Sequence, residues 1–123
     1  MFRFVIDAND VLDAVGQPTR RRLLEVLHRH DESTVSELVA ASGLRQPQVS
    51  KHLKVLASAS LVAVRADGRH RRYRLDGRGL QVAHDWFASF EDIWSARLDA
   101  LDQLVSTDFN HRHHPHHPEE RAT

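Results

Sequence analysis

Two helix starts and a glycine turn stand close together between Thr34 and Leu56, and that spacing leaves room only for a pair of short helices. Thr34-Val35-Ser36-Glu37 has the pattern of a capping box, in which the Thr34 hydroxyl serves the Glu37 amide and the Glu37 carboxylate reaches back. The helix it opens turns Val35, Leu38 and Val39 inward and ends at Gly43, a residue suited to closing a helix. Pro47 then falls in the first turn of the next helix, where its missing N–H costs nothing. On a wheel of about 100° per residue, Leu53 and Leu56 lie within about 40° of Val49, and the three form a buried stripe. Lys51 and Lys54 point the opposite way, with Gln48 and Ser50 on the flanks. Two short helices, a tight turn, and cations, an amide and a hydroxyl on the exposed side of the second predict a helix-turn-helix. Such a second helix suits a DNA major groove, where amides pair with adenine edges and ammoniums with guanine or phosphate.

The segment that follows is a basic hairpin. Leu61-Val62-Ala63-Val64-Arg65 reads as a strand, Asp67-Gly68 as a turn signal, and Arg71-Arg72-Tyr73-Arg74-Leu75 as the returning strand. Arg69, His70, Arg71, Arg72 and Arg74 crowd its tip and return. A hairpin so charged suits phosphate or minor-groove contact better than it suits stability. Charge that protects an edge strand from aggregation is the alternative. Helix-turn-helix plus hairpin predicts a winged helix.

The net charge of zero hides a segregation. Residues 17–76 hold twelve Lys/Arg against six Asp/Glu, while residues 1–16 carry a net −2 and residues 77–110 a net −4. A basic middle with acidic flanks steers one face toward a polyanion. No cysteine is present, which excludes disulfides, thiol nucleophiles and Cys-ligated zinc. No apolar run approaches the roughly 20 residues that span a bilayer, and Met1–Asp7 is too short for a secretory signal. The expected location is the cytoplasm. Neither paired carboxylates, a Ser-His-Asp set nor a glycine-rich phosphate loop stands out, so no enzyme activity and no cofactor are expected.

Two further helices are predicted before the capping box, Asn9 to Val15 ended by Gly16, and Thr19 to about His30. Arg20, Arg21 and Arg22 at the second start either approach phosphate or pair with nearby acids. After the hairpin, apolar residues from Leu80 to Val105 recur at spacings of three or four and predict one long helix to about Ser106. Its stripe is wider than a lone surface helix requires. The simplest cover is a second copy of the chain, with Val11, Leu12, Val15, Phe87, Phe90, Trp94, Leu98 and Leu101 at the dimer interface. The domain reading is therefore 1–106 for DNA binding and dimerisation, with 107–123 a polar tail. That tail carries His111, His113, His114, His116 and His117. They read either as a flexible chelator for nickel, zinc or cobalt or as a solvated end.

Taken together, Gln17 to Leu27, Val35 to Leu38, Gln46 to Leu56, Leu61-Val62 and Gly68 to Tyr73 resemble the ArsR/SmtB family of winged-helix bacterial repressors over roughly residues 8 to 105. The resemblance implies a mainly α winged helix-turn-helix, a homodimer built from the first and last helices, and double-stranded DNA as partner. It also implies an inverted-repeat operator. Thr34, Gln46, Gln48, Ser50, Lys51, Lys54, Arg69, Arg71 and Arg72 are the expected DNA-binding residues.

Departures from the family pattern fall at the caps and at the effector sites. Gln17 and Arg45 stand where a capping Asp and Ser are usual, so both helices are expected to lose a cap. Val35-Ser36-Glu37-Leu38 replaces the Cys-x-Cys of the arsenic-type sensors. The last helix offers only His84 beside Asp85 where zinc-type members carry Asp-x-His and a later His pair. No family-type metal site is expected, and the effector is either a small molecule or a metal ion held by the tail. A winged-helix module that binds proteins is the alternative of another class.

Overall fold

A computed structural model describes residues 5–109 of the chain. They form six helices and three short strands, falling into two compact units, one ending at Ala88 and the other beginning at Ser89.

The first unit starts with α1 (Ala8–Val15) and α2 (Pro18–Arg29). Asp7 caps α1 by accepting the Asn9 amide at 2.8 Å. The cap expected to be lost at α2 is kept, because Gln17 Oε1 accepts the Arg20 amide at 3.2 Å. Glutamine carries the same kind of acceptor as asparagine on a longer stem. Arg20 and Arg21 turn back to the end of α1. Arg20 Nε donates to the Ala14 carbonyl at 2.8 Å and Arg21 to the Val15 carbonyl at 2.7 Å. Orphan carbonyls at the negative end of a helix are good partners for guanidinium. Two of the three arginines considered for phosphate are thus engaged in a helix corner.

The capping box forms as its sequence predicts. Thr34 Oγ1 accepts the Glu37 amide at 3.2 Å, and Glu37 accepts the Thr34 amide at 2.8 Å. They open α3 (Val35–Ser42), which closes at Gly43 with φ 76°. The second short helix, α4, runs Gln46–Ser58. Val11 and Ala14 of α1, Leu23, Val26 and Leu27 of α2, Leu38 of α3, and Val49, Leu53 and Leu56 of α4 close one core with Leu61 and Val62. By transfer from water, each such leucine contributes about 2–3 kcal/mol.

The hairpin is β2 (Val62–Asp67) and β3 (His70–Leu75), antiparallel with Asp67 opposite His70. The two-residue loop is therefore Gly68-Arg69, one residue later than the Asp-Gly signal suggested. Gly68 has φ 62° and Arg69 stays out of the left-handed region. That is the type II′ pattern, with glycine at the first central position. A third strand absent from the sequence reading, β1 (Ser33–Thr34), pairs with β3 through Ser33 opposite Tyr73 and Thr34 opposite Arg72. The sheet order is β1-β3-β2.

The chain then enters α5 (Gly77–Ala88) against the turn that joins α4 to β2. The Asp76 amide donates to the Leu61 carbonyl at 2.9 Å and the Gly79 amide to the Ser60 carbonyl at 2.8 Å. Ser60 sits at φ 58°, a conformation costing a non-glycine residue about 1 kcal/mol or more. Gly79 must be glycine-sized, since a Cβ there would stand 2.4 Å from the Ser60 carbonyl oxygen.

The single long helix expected from Leu80 to Ser106 is two helices. After α5, a turn at Ser89-Phe90 intervenes before α6 (Glu91–Phe109). Ser89 followed by Glu91 and Asp92 is the composition of a helix start, a short polar residue and then acids at the positive end. The apolar spacing runs through the break and masks it. On α5 the rings of Trp86 and Phe87 meet edge to face at 5.1 Å and both are exposed. Ile93, Leu98, Leu101 and Leu104 are exposed on α6.

Among the expected interface residues, Val11 needs correction. It is completely buried inside its own chain, because α1 packs against α5 as well as α2 and α4. Leu12 and Val15 are half-buried, and Phe87, Phe90, Leu98 and Leu101 are exposed. The side chain of Trp94 and all five tail histidines lie outside the described residues.

Candidate nucleic-acid interface

Helix α4 is anchored by Val49, Leu53 and Leu56, all essentially inaccessible, and this fixes which side chains face outward. Gln46, Gln48, Ser50, Lys51 and Lys54 are all exposed. At its start, Arg45 has no acceptor to offer the helix amides. The missing cap is supplied in reverse, with Gln48 Oε1 accepting the Arg45 amide at 3.2 Å. At its end the Ser58 hydroxyl donates to the Lys54 carbonyl at 3.0 Å.

The hairpin separates its cations by face. Side chains alternate along a strand, so Arg71 and Tyr73 share the face of Val64, and Arg72 shares the face of Arg65. The first face meets α4. Ser50, Lys54, Ala57 and Ser58 line one side of a groove of about 560 Å³, and Val64, Arg71 and Tyr73 the other. Hydroxyls, an ammonium and a guanidinium converge there, a donor set suited to a phosphate strand. Lys54 also borders a smaller recess with Asp10 and Asp13 of α1.

The opposite face is an ion-pair surface. Arg65 binds Glu32 at 2.9 Å and Arg72 binds Asp67 at 2.6 Å. These guanidiniums hold the Glu32 and Asp67 carboxyls below the usual carboxylate range, mainly through the hydrogen bonds. Arg78 does the same to Asp76 across 2.8 Å. The backbone hydrogen bond from Thr34 lowers Glu37. Of the three wing arginines expected to bind DNA, Arg72 is thus engaged by a carboxylate. Arg69 at the tip and Arg71 on the groove have no carboxylate partner among the described residues. Thr34 is committed to its cap and lies opposite Arg72, at the root of the wing.

Sequence reasoning missed Tyr73, Val64 and Ser58 as groove residues. The signal was present, since alternation places Tyr73 on the face of Arg71, two residues away. His52 packs at the edge of the core, as its position about 60° from the middle of the stripe implied. Its Nδ1 is buried without a hydrogen-bond partner. Desolvation, then the nearby charges of Arg20 and Lys51, push its pKa down.

His84 and Asp85 lie 3.6 Å apart, both exposed. Among the described residues no group of three or more His, Cys, Asp or Glu side chains comes together as a metal site.

Comparison with known proteins agrees with this geometry. Residues 15–65 match a family model described as a helix-turn-helix domain. The chain is 35% identical over 95 residues to a helix-turn-helix-type transcriptional regulator of Mycobacterium tuberculosis, covering 77% of this chain and 85% of that protein. Among solved structures it is similar to a possible transcriptional regulator for arsenical resistance, with 43% identity and a TM-score of 0.61. That match covers 80% of this chain and 95% of the other. It is also similar to a homodimeric winged helix-turn-helix DNA-binding domain from Mycobacterium bovis, described as a possible ArsR-family regulator. There the identity is 29% and the TM-score 0.55, over 89% of this chain and 86% of that one.

Proposed function

Because the chain belongs to the ArsR/SmtB family of winged-helix transcriptional regulators, we propose that it is a homodimeric repressor of an inverted-repeat operator, with α4 as its recognition helix. It is a DNA-binding regulator and not an enzyme. One observation carries the assignment of α4: its apolar stripe is fully buried while Gln48, Ser50, Lys51 and Lys54 stand out together beside the wing groove. In this reading Gln48 and Ser50 meet base edges, Lys51 and Lys54 base edges or the nearest phosphates, and Arg69 and Arg71 the backbone beyond. Gln46 and Thr34 sit at helix starts, where amides and hydroxyls meet phosphate. Arg72 joins them only after its bond to Asp67 is exchanged.

The dimer is proposed from α1, α5 and α6. The apolar side chains exposed on α5 and α6 are of the kind a second copy covers, and the M. bovis relative is a homodimer. Residues 1–106 then act as the DNA-binding and dimerisation domain, with 107–123 as an appended tail. The protein works in the cytoplasm, where its DNA lies. No helix of the described residues is long and apolar enough to cross a membrane.

The test is a mobility-shift titration of the full chain on its gene's upstream DNA against random duplex, over a series of salt concentrations. Tighter binding to the upstream DNA at every salt supports a specific repressor, and equal binding removes that reading. The effector is proposed to be a small molecule or a metal ion. Release of the operator by nickel, cobalt or zinc from the full chain but not from residues 1–110 identifies a tail-held metal.

A further inference from the structure

The outward amide of α4 is only half available for reading DNA. A glutamine that recognises adenine uses both ends of its amide, the NH₂ donating to N7 and the carbonyl accepting from N6. In this chain Gln48 Oε1 is already the acceptor for the Arg45 amide at 3.2 Å. The arrangement is enforced locally. Arg45 lies before the first turn of α4 with φ −81° and ψ 152°, and its side chain has no acceptor. Gln48 is thus the side chain that serves the N–H of Arg45, and because that N–H is a donor, it sets which end of the amide points inward. The end turned away from Arg45 is Nε2, which carries two hydrogens and no lone pair, while Oε1 is left with one lone pair beside the helix backbone.

We propose that Gln48 is a specificity-determining residue that favours guanine over adenine, because the bond that caps its own helix turns Oε1 toward the Arg45 amide and presents the Nε2 donor to the groove. Guanine presents two neighbouring acceptors, O6 and N7, in the major groove and accommodates both amide hydrogens. Adenine sets its N6 amine against the amide hydrogens, donor to donor. The inference rests on α4 being the recognition helix, and it reverses the ordinary expectation for a glutamine in that place.

The experiment is selection of bound duplexes from a randomised DNA library by the full-length chain and four variants. Wild type is expected to select a motif containing a G·C pair in each half-site whose preference disappears in Gln48→Ala. Gln48→Glu keeps an acceptor for the Arg45 amide and removes the donors, so it is expected to fold normally and lose the same preference. Arg45→Ala removes the guanidinium and keeps the N–H, and leaves the G·C preference in place. Arg45→Pro fits the φ of the site and deletes the N–H. It frees Oε1 and is expected to shift that position toward A·T by roughly tenfold. A Gln48-dependent pair that is A·T in wild type overturns the inference, as do identical selections by Arg45→Ala and Arg45→Pro. A wild-type motif in which no position depends on Gln48 refutes this inference while the repressor reading stands. Selection of no motif by wild type refutes both.

Discussion

Replacing Gly79 by alanine probes how tightly α5 is fastened to the turn between α4 and β2. The added Cβ stands 2.4 Å from the Ser60 carbonyl oxygen and 2.8 Å from both the Ala59 oxygen and the Ser60 carbonyl carbon. All three are backbone atoms, so no side-chain rotation relieves the overlap. Ordinary contact requires the helix start to retreat by about 1 Å. The same retreat stretches the 2.8 Å bond from the Gly79 amide to Ser60 beyond bonding distance. Overpacking costs about 1–3 kcal/mol and the lost hydrogen bond about 1 kcal/mol. Alanine's better helix propensity returns about 1 kcal/mol. The expected loss is about 1–3 kcal/mol, read as a urea midpoint lowered by about 1 M for a slope near 2 kcal/mol/M. Gly77→Ala is the control, because nothing lies within 4 Å of its Cβ position. It is expected to leave stability equal or raise it by a few tenths of a kcal/mol. Both variants are unfolded at one protein concentration, since the proposed dimer would make apparent stability concentration-dependent. If Gly79→Ala unfolds at the same urea concentration as Gly77→Ala, the close approach at Ser60 does not exist as described.

Three more outcomes are expected. The folded state holds the His52 pKa below its ordinary 6.5, so the unfolded chain binds the extra proton between the two values. Stability is then full above that ordinary value and falls as pH drops below it; thermal melts of wild type and His52→Gln should differ in slope there, and equal slopes would remove the claim. Thr34→Ala deletes the hydroxyl that accepts the Glu37 amide and should cost about 1 kcal/mol in urea unfolding, an unchanged midpoint counting against the cap. In DNA titrations against salt, Arg71→Ala should lower the slope of log K by about 0.9. Arg72→Ala should lower it by less, since Asp67 already holds that guanidinium, and the opposite ranking would reverse the assignment of the two wing faces.

What the sequence made legible was mostly local. The Thr34–Glu37 box and the buried stripe of α4 each depend on residues a few positions apart, and both stand as read. Strand β1 was not legible, because two residues owe their extended form to β3, whose Tyr73 and Arg72 lie far along the chain. The break at Ser89-Phe90 was hidden by apolar spacing that continues on both sides. Val11 was misplaced because an apolar stripe announces burial without saying which surface does the burying. Counting arginines also overstated the charge offered to DNA. Alternation in β3 separates Arg71 from Arg72, but which face carries carboxylates depends on Glu32 and on the register at Asp67. The reversed cap at Gln48 needed a geometric fact as well, since a glutamine three residues into a helix is commonplace until its partner proves to have no acceptor.

The carboxylates beside Arg65, Arg72 and Arg78 have a consequence for the search a regulator must make in the cell. A chromosome offers about 10⁶–10⁹ wrong sites for each right one, and every unpaired cation lengthens the stay on all of them alike. Arginines neutralised from within add little to that indiscriminate adhesion. The molecule is therefore expected to leave random DNA sooner than its count of arginines implies.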